Sequence, residues 1–154
     1  MDEPETYEYA AFVSYRHLED DRRWACWLVE ALESYRTPER LVRDGYDARL
    51  GRIFRDDDEL KALPDLTPAI RQALFASRYL LVVCSEETPR SHWVRAEIAL
   101  FQHWGRGERI IPILIEGGPE TSFPPELTRP EVIGHGAEAT FRTVEPRGPD
   151  VTPK

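Results

Sequence analysis

Four short apolar runs in the N-terminal and middle parts of the chain predict a series of strands. They read YEYAAFVS at residues 7–14, GRIFR at 51–55, YLLVVC at 79–84 and RIIPILI at 109–115. Runs of this length and composition are typical of strands that are buried on both faces of a sheet. The run at 79–84 is the most apolar, and we expect it to be the central strand.

Amphipathic stretches separate these runs and predict helices. In residues 20–36 apolar side chains recur at the spacing of a helix, and Asp20 or Asp21 can cap it. The positions of this predicted core stripe are Trp24, Trp27, Leu28, Ala31, Leu32 and Tyr35. A shorter helix is predicted from Thr67, a suitable N-cap, to about Ser77.

The helix predicted for residues 91–104 carries the candidate chemistry. Ser91 can cap this helix with its hydroxyl. The predicted apolar stripe consists of Trp93, Ala96, Leu100 and Trp104. Glu97 follows Trp93 by one turn, so an indole and a carboxylate share a face. Such a glutamate is either a solvated residue at the edge of the core or an active-site acid.

The order of strands and helices predicts a flavodoxin-like α/β fold, a doubly wound parallel sheet with strand order 2-1-3-4-5. In such sheets ligands bind beyond the carboxyl ends of the strands, at the switch point between the first and third strands. The loops at residues 14–20 and 85–90 border that point in this chain. The residues predicted to lie around this one cleft are Ser14, Tyr15, Arg16, Trp93 and Glu97.

The pattern weakens after residue 116, where glycine and proline interrupt it repeatedly. The run ATFRTV at residues 139–144 predicts a last, poorly anchored strand, and no amphipathic helix follows it. We therefore expect a disordered tail at residues 1–6, one domain at 7–145, and a C-terminal tail or linker at 146–154.

Composition limits the classes of partner. A chain of 154 residues with 41% hydrophobic and 31% charged residues is typical of one soluble domain. A net charge of −8 with scattered arginines argues against a nucleic-acid surface, and no apolar run approaches the roughly 20 residues of a membrane span. The acidic N-terminus is unlike a secretory signal. Because Cys26 and Cys84 lie in apolar segments, we expect reduced thiols and a cytoplasmic location.

Missing motifs narrow the chemistry further. The nucleotide-binding patterns GxGxxG and GxxxxGK[ST] are absent, and so is the GxSxG nucleophile elbow. Histidine and cysteine spacing offers no zinc site, and the acidic run at residues 56–59 lacks the alternate spacing of a calcium loop. One acid with an aromatic neighbour remains. That pair suits cleavage of a glycosidic bond, in which a carboxylate stabilises an oxocarbenium-like state.

Four motifs in order resemble those of Toll/interleukin-1 receptor (TIR) domains of bacterial type. FVSYRH resembles their box 1, and RIFRDDDELKALPDLTPAI resembles their second strand, BB loop and following helix. SRYLLVVCSEETPRSHWVRAEIALF resembles their third strand and the helix with a W-x-x-x-E pattern, and IIPILI resembles their fourth strand. The resemblance covers residues 7–115. The long link before the second strand and the faint C-terminal strand without its helix depart from the family's pattern.

The resemblance implies, for many bacterial members, NAD⁺ glycohydrolase activity in signalling or defence. The family's catalytic glutamate falls on Glu97. The positions that match its substrate-binding residues are Ser14, Tyr15, Arg16, Arg55, Asp56 and Trp93. The products implied are nicotinamide and ADP-ribose or a cyclic relative, with no metal and no cofactor besides the NAD⁺ substrate.

The resemblance also implies self-association, in which the loop from Asp56 to Leu66 of one copy completes the site of the next. Two other functions stay open. The chain can be a non-catalytic adaptor whose surface docks to other TIR domains, or a sensor that binds the nucleotide without cleaving it.

Overall fold

The computed structural model describes residues 4–55 and 67–127, and the backbone of 130–133 and 140–143. Its main sheet has four parallel strands: β1 (Tyr9–Ser14), β2 (Ile53–Arg55), β3 (Ser77–Cys84) and β4 (Ile110–Leu114). They lie in the order β2-β1-β3-β4, which confirms the predicted order of the first four strands. The carboxyl ends of β1 and β3 are neighbours, because Ser14 is in register with Val82.

Five helices accompany the sheet in the described residues. They are α1 (Glu19–Ser34), α2 (Glu39–Arg43), α3 (Pro68–Phe75), α4 (His92–His103) and the short α5 (Pro119–Ser122). Thr67 caps α3 and Ser91 caps α4, each accepting a backbone N–H with its hydroxyl. The predicted side-chain cap of α1 is wrong, because Leu18 holds that position and Asp20 and Asp21 lie within the first turn. None of the helices described is long and apolar enough to cross a membrane.

The sheet has a core on each face. Alternate residues of a strand point to opposite sides, so Leu80 and Val82 join one core while Leu81 and Val83 join the other. The first core, against α3 and α4, includes Phe12, Leu74, Val94, Ile98 and Phe101. The second core, against α1, includes Val13, Tyr15, Ala25, Leu28 and Ile113. Cys84 is fully buried in the first core, and burial raises the pKa of its thiol to about 12.

The buried face of α1 differs from the predicted stripe. Its buried residues are Asp21, Ala25 and Leu28, whereas Trp27 is 49% exposed and Tyr35 is 46% exposed. Trp24 and Trp27 touch edge to face with ring centroids 5.7 Å apart, at the border of the second core. Indole rings are large and amphipathic, so periodicity alone placed Trp27 too deep.

The buried face of α4 is also shifted by one residue from the prediction. Its buried residues are Val94, Glu97, Ile98 and Phe101. The predicted stripe of Trp93, Ala96, Leu100 and Trp104 is only partly buried and packs against the first core from the flank. Glu97 therefore lies within the apolar stripe itself and not beside it.

The C-terminal strand pairs differently from the expectation. The run at 139–144 contains β6 (Thr140–Thr143), but it pairs antiparallel with β5 (Pro130–Ile133), which the sequence reading missed. A short connection permits an antiparallel pair, whereas a parallel fifth strand needs a longer crossover. Within the residues that the structure describes, no fifth strand joins the main sheet. The tail predicted at 146–154 lies outside the described residues.

Candidate functional site

A buried serine–glutamate pair lies at the carboxyl end of β1, next to β3. Ser14, the last residue of β1, donates a hydrogen bond of 2.8 Å from its hydroxyl to Glu97 Oε1. Each of the two residues is only 1% exposed. The fold thus joins two residues that are 83 positions apart in the chain.

The start of α4 determines where Glu97 lies. The Ser91 hydroxyl accepts from the Val94 N–H at 3.2 Å, which fixes the first turn. Val94, Ile98 and Phe101 then bury their side chains and carry Glu97 inward between them. Burying a carboxylate costs free energy unless hydrogen bonds compensate. Because Glu97 is only 1% exposed, the alternative of a solvated glutamate at the edge of the core is wrong.

Trp93 and Tyr15 take different places relative to this pair. Trp93 is partly buried and packs against the first core, on the side of the sheet where α4 lies. Tyr15 is 2% exposed and belongs to the second core, where its ring stacks on His17 with centroids 4.4 Å apart. The structure therefore places Trp93 on the helix of Glu97 and Tyr15 on the opposite face of the sheet.

Arg16 connects the loop after β1 with the loop after β3. Its guanidinium donates to the Glu87 carbonyl at 2.9 Å and to Glu87 Oε2 at 3.0 Å. The side chain of Arg16 is 31% exposed and that of Glu87 is 42% exposed. The contact is thus a partly solvated ion pair between the loop after β1 and the loop after β3.

Arg55 ends β2 beside Val13 of β1 and donates to the Cys26 sulfur on α1. Its guanidinium is therefore held on the α1 side of the sheet. The predicted substrate-binding residue Asp56 and the whole predicted assembly loop, residues 56–66, lie outside the described residues.

A second buried polar group links the first turn of α1 to the loop after β3, and the sequence reading missed it. Ser85 donates from its hydroxyl to Asp21 Oδ2 at 3.0 Å. Thr88 Oγ1 accepts from the Ser85 N–H at 2.8 Å and donates to the Val83 carbonyl at 3.2 Å. Asp21 is 3% exposed, Ser85 4% and Thr88 0%. Asp21 and Glu97 share one signal, an acid that occupies a position of the apolar stripe of its helix.

The environment of Asp21 disfavours its charge. Burial raises the pKa of Asp21 from 3.8 to about 6. The nearby carboxylates of Glu116 and Asp20 act in the same direction, while the Ser85 hydroxyl and the Arg16 guanidinium oppose the rise. Asp21 therefore keeps its proton to a higher pH than an exposed aspartate does.

A cavity of about 540 Å³ lies next to Asp21, between the first turn of α1 and the loops after β3 and β4. Its lining includes Asp21, Trp24, Trp27, Ser85 and Glu116. Neither Ser14 nor Glu97 lines it, so this cavity and the serine–glutamate pair are separate features. Among residues 4–55 and 67–127, no group of three or more histidine, cysteine, aspartate or glutamate side chains is placed to hold a metal ion.

Comparison with known proteins identifies relatives of the chain. A TIR domain family model matches residues 11–142. The NAD(+) hydrolase ApTIR of Actinoplanes sp. is 31% identical over 112 residues, which are 71% of this chain and 14% of that protein. The chain thus spans a small part of that relative. The TIR domains in the structure of the activated Roq1 resistosome directly recognizing the pathogen effector XopQ match with a TM-score of 0.51 at 24% identity, covering 73% of this chain and 61% of that one.

Proposed function

This chain belongs to the TIR-domain family, and from that premise we propose that it is an NAD⁺ glycohydrolase. It cleaves the bond between nicotinamide and ribose and yields nicotinamide with ADP-ribose or cyclic ADP-ribose. The sequence relative named an NAD(+) hydrolase supports this choice of substrate. The catalytic residue in the proposal is Glu97.

The observation that carries the proposal is the buried hydrogen bond between Ser14 and Glu97, 2.8 Å long at the carboxyl end of β1. Ligands of doubly wound sheets bind at this edge. A carboxylate held in a site that excludes water stabilises positive charge far better than one in water, because the surroundings need not reorganise. Ser14 is the residue that orients this carboxylate.

The reaction proceeds in two steps. The C–N bond breaks with its electron pair going to nicotinamide, which leaves as a neutral base, and positive charge develops on the ribose. Glu97 stabilises that charge or holds the ribose hydroxyls. Water, or the adenine of the same molecule, then attacks the ribose and gives the linear or the cyclic product.

The proposal assigns substrate binding to six further residues. Trp93 forms the wall on the nicotinamide–ribose side, since it lies one turn before Glu97 on α4. The remaining positions, taken from the family's pattern, are Ser14, Tyr15, Arg16, Arg55 and Asp56.

The burial of the Glu97 carboxylate supports a role for self-association. Glu97 is 1% exposed in the single chain, so NAD⁺ reaches it only after neighbouring segments rearrange. We propose that a second TIR domain causes this change, with the loop of residues 56–66 from one copy completing the site of the next. Turnover per molecule then rises steeply with protein concentration.

NAD⁺ consumption by the purified chain at low and high concentration, followed by chromatography of nicotinamide, tests the proposal. The expected result is a rate per molecule that increases with concentration and is lost in the Glu97→Gln variant. Equal rates in the variant and the parent chain would contradict the assignment of Glu97.

One observation also favours a second function, that of a non-catalytic adaptor. Glu97 is closed off by packing, and Arg16 is engaged by Glu87, as expected for residues that only stabilise a docking surface. This alternative predicts no NAD⁺ turnover even in concentrated or tethered protein. It predicts loss of association when Asp57, Leu60 or Pro64, which lie outside the described residues, are substituted.

A further inference from the structure

The contacts between the segment that begins with β1 and the segment that contains α4 include three polar ones. The first is the Ser14–Glu97 hydrogen bond, and the second is the partly exposed Arg16–Glu87 ion pair. The third is the Ser85–Asp21 hydrogen bond, in which both residues are at least 95% buried. A contact shielded from water is stronger than an exposed one, so the third contact is a firmer link than the partly exposed ion pair.

The third contact continues as a path toward Glu97. From Asp21 it passes to Ser85 and then to Thr88, whose hydroxyl both accepts from the Ser85 N–H and donates to the Val83 carbonyl. Thr88 begins the short 3₁₀ turn Thr88–Arg90. Ser91 follows directly and caps α4, the helix of Glu97. A hydrogen-bonded path therefore runs from the first turn of α1 to the first turn of α4.

We propose that Asp21 is a positioning residue for the Glu97 site. Its carboxylate holds Ser85, and through Ser85 and Thr88 it fixes the turn from which α4 departs, so that Glu97 meets Ser14. Without this restraint, the turn and the first turn of α4 shift relative to β1. The catalytic consequence rests on the proposed glycohydrolase function, whereas the mechanical restraint does not.

The surroundings of Asp21 make its negative charge unfavourable in the fold. Its pKa is about 6 in the fold against 3.8 ordinarily. A raised pKa means that its contribution to stability is fully present below pH 3.8 and is lost as the pH rises through about 6. Above that pH the fold carries a buried charge at a cost, as expected for a residue that trades stability for function.

The groups around Asp21 come from several elements. Arg16 lies in the loop after β1, Asp20 on α1, and Glu116 after β4. The cavity of about 540 Å³ next to Asp21 is lined by further charged residues, namely Glu19, Arg23 and Glu87. An asparagine at position 21 keeps an oxygen that accepts from Ser85, and its amide hydrogens face these carboxylates. Asp21→Asn is therefore expected to fold.

The test compares Asp21→Ala, Asp21→Asn and Ser85→Ala with Asp20→Asn, a matched change at an exposed neighbour. Amide hydrogen exchange should become faster at residues 85–94 in Asp21→Ala and Ser85→Ala, and stay unchanged at the carboxyl end of α4. In assembled protein, kcat of these two variants should fall by about tenfold to 100-fold while KM changes less, because a small misplacement near the reacting groups has effects of that order.

Asp21→Asn separates positioning from plain structure. Its melting temperature should exceed that of the parent chain at pH 7.5 and equal it near pH 4, since it lacks the buried charge. Because its amide oxygen still accepts from Ser85, its kcat should be higher than that of Asp21→Ala. Unchanged exchange at residues 85–94 in both Asp21→Ala and Ser85→Ala would overturn the restraint. A kcat within twofold of the parent in those variants, or a loss of melting temperature at pH 7.5 in Asp21→Asn, would overturn the positioning role. If the parent chain consumes no NAD⁺, the proposed function fails, and hydrogen exchange still decides on the restraint.

Discussion

Two charged side chains, one in the middle of α4 and one just after it, are buried and differ in what surrounds them. Glu97 is 1% exposed and meets Ser14 at the carboxyl end of β1. Arg106 is 2% exposed and follows α4. Its guanidinium donates to the carbonyls of Phe75 at 2.9 Å and Ser77 at 3.2 Å, at the amino end of β3.

Aromatic rings enclose the Arg106 guanidinium. It lies 4.9 Å from the ring centroid of Phe75, 5.2 Å from that of Trp104, 5.4 Å from that of Phe101 and 5.6 Å from that of Tyr7. Cation–π contacts of this length are strongest when desolvated. Arg106 thus links α3, α4 and β3 at the amino end of β3, the edge of the sheet at which ligands of such folds do not bind.

The comparison shows that burial alone does not identify a functional charge. Both side chains are buried, but Arg106 is enclosed by backbone carbonyls and aromatic rings. We call the residues that only stabilise the domain in this way its frame. Glu97 lies at the carboxyl end of β1, the edge at which ligands of doubly wound sheets bind, and its partner Ser14 is the last residue of that strand. Position in the topology is therefore the difference on which the roles proposed for the two residues rest.

Replacing Arg106 should have the largest effect, and the effect should be on stability. Arg106→Ala leaves two buried carbonyls without their charged donor and opens space among four rings, so we expect a loss of about 3–5 kcal/mol in the free energy of unfolding. Urea denaturation measures this loss. Arg71→Ala, at an exposed arginine of α3, is the matched control and should stay within about 0.5 kcal/mol. Comparable losses of unfolding free energy in Arg106→Ala and Arg71→Ala would contradict the assignment of Arg106 to the frame.

Replacing Glu97 should have the next largest effect, and the effect should be on activity. Glu97→Gln keeps the volume and an oxygen for the Ser14 hydroxyl but loses the negative charge, so NAD⁺ cleavage should slow by about 100-fold or more. Nicotinamide release under conditions of assembly measures the rate, and a thermal melt should show a fold that is retained. Glu108→Gln, at an exposed glutamate, is the control. A variant that unfolds like Arg106→Ala would place Glu97 in the frame as well.

The sequence predicts the frame of this site better than its interior. Apolar runs identify all four strands of the main sheet, and the rule for carboxyl ends brings Ser14 and Glu97 together before any coordinates are known. These inferences succeed because strand burial and parallel topology depend on local hydrophobicity and on element order.

Two features escape the sequence because they depend on contacts between distant segments. Arg106 stands between two glycines after a helix, and its partners Phe75 and Ser77 lie 31 and 29 positions away. Ser85 and Asp21 are 64 positions apart. Local periodicity contains no information about such pairings, although an acid within an apolar stripe identifies Asp21 and Glu97 as positions that need a partner.

Two buried serines provide a smaller and closely matched version of the comparison. Ser14 donates to Glu97, whereas Ser77 donates to the Ala73 carbonyl at 2.7 Å near Arg106. Ser14→Ala should lower kcat by about tenfold, because the carboxylate loses its orienting donor. Ser77→Ala should lower the free energy of unfolding by about 1 kcal/mol and leave kcat unchanged. The same assay and melt on both variants measure the contrast, and reversed outcomes would contradict the division between site and frame.

Replacing Arg16 should give the smallest change in stability. It tests whether a partly exposed charge belongs to the site or to the frame. The Arg16–Glu87 ion pair is 31% and 42% exposed, so solvent screens it and Arg16→Ala should cost below about 1 kcal/mol of unfolding free energy. Glu87→Ala should cost a similarly small amount, and a double-mutant cycle in urea gives the coupling between the two. If Arg16 contacts the nucleotide, its loss raises KM while that of Glu87 does not, because only Arg16 carries the charge that attracts phosphate. Equal changes in KM for both variants would show that the pair acts only by linking the two loops, and Arg16 would then join Arg106 as part of the frame.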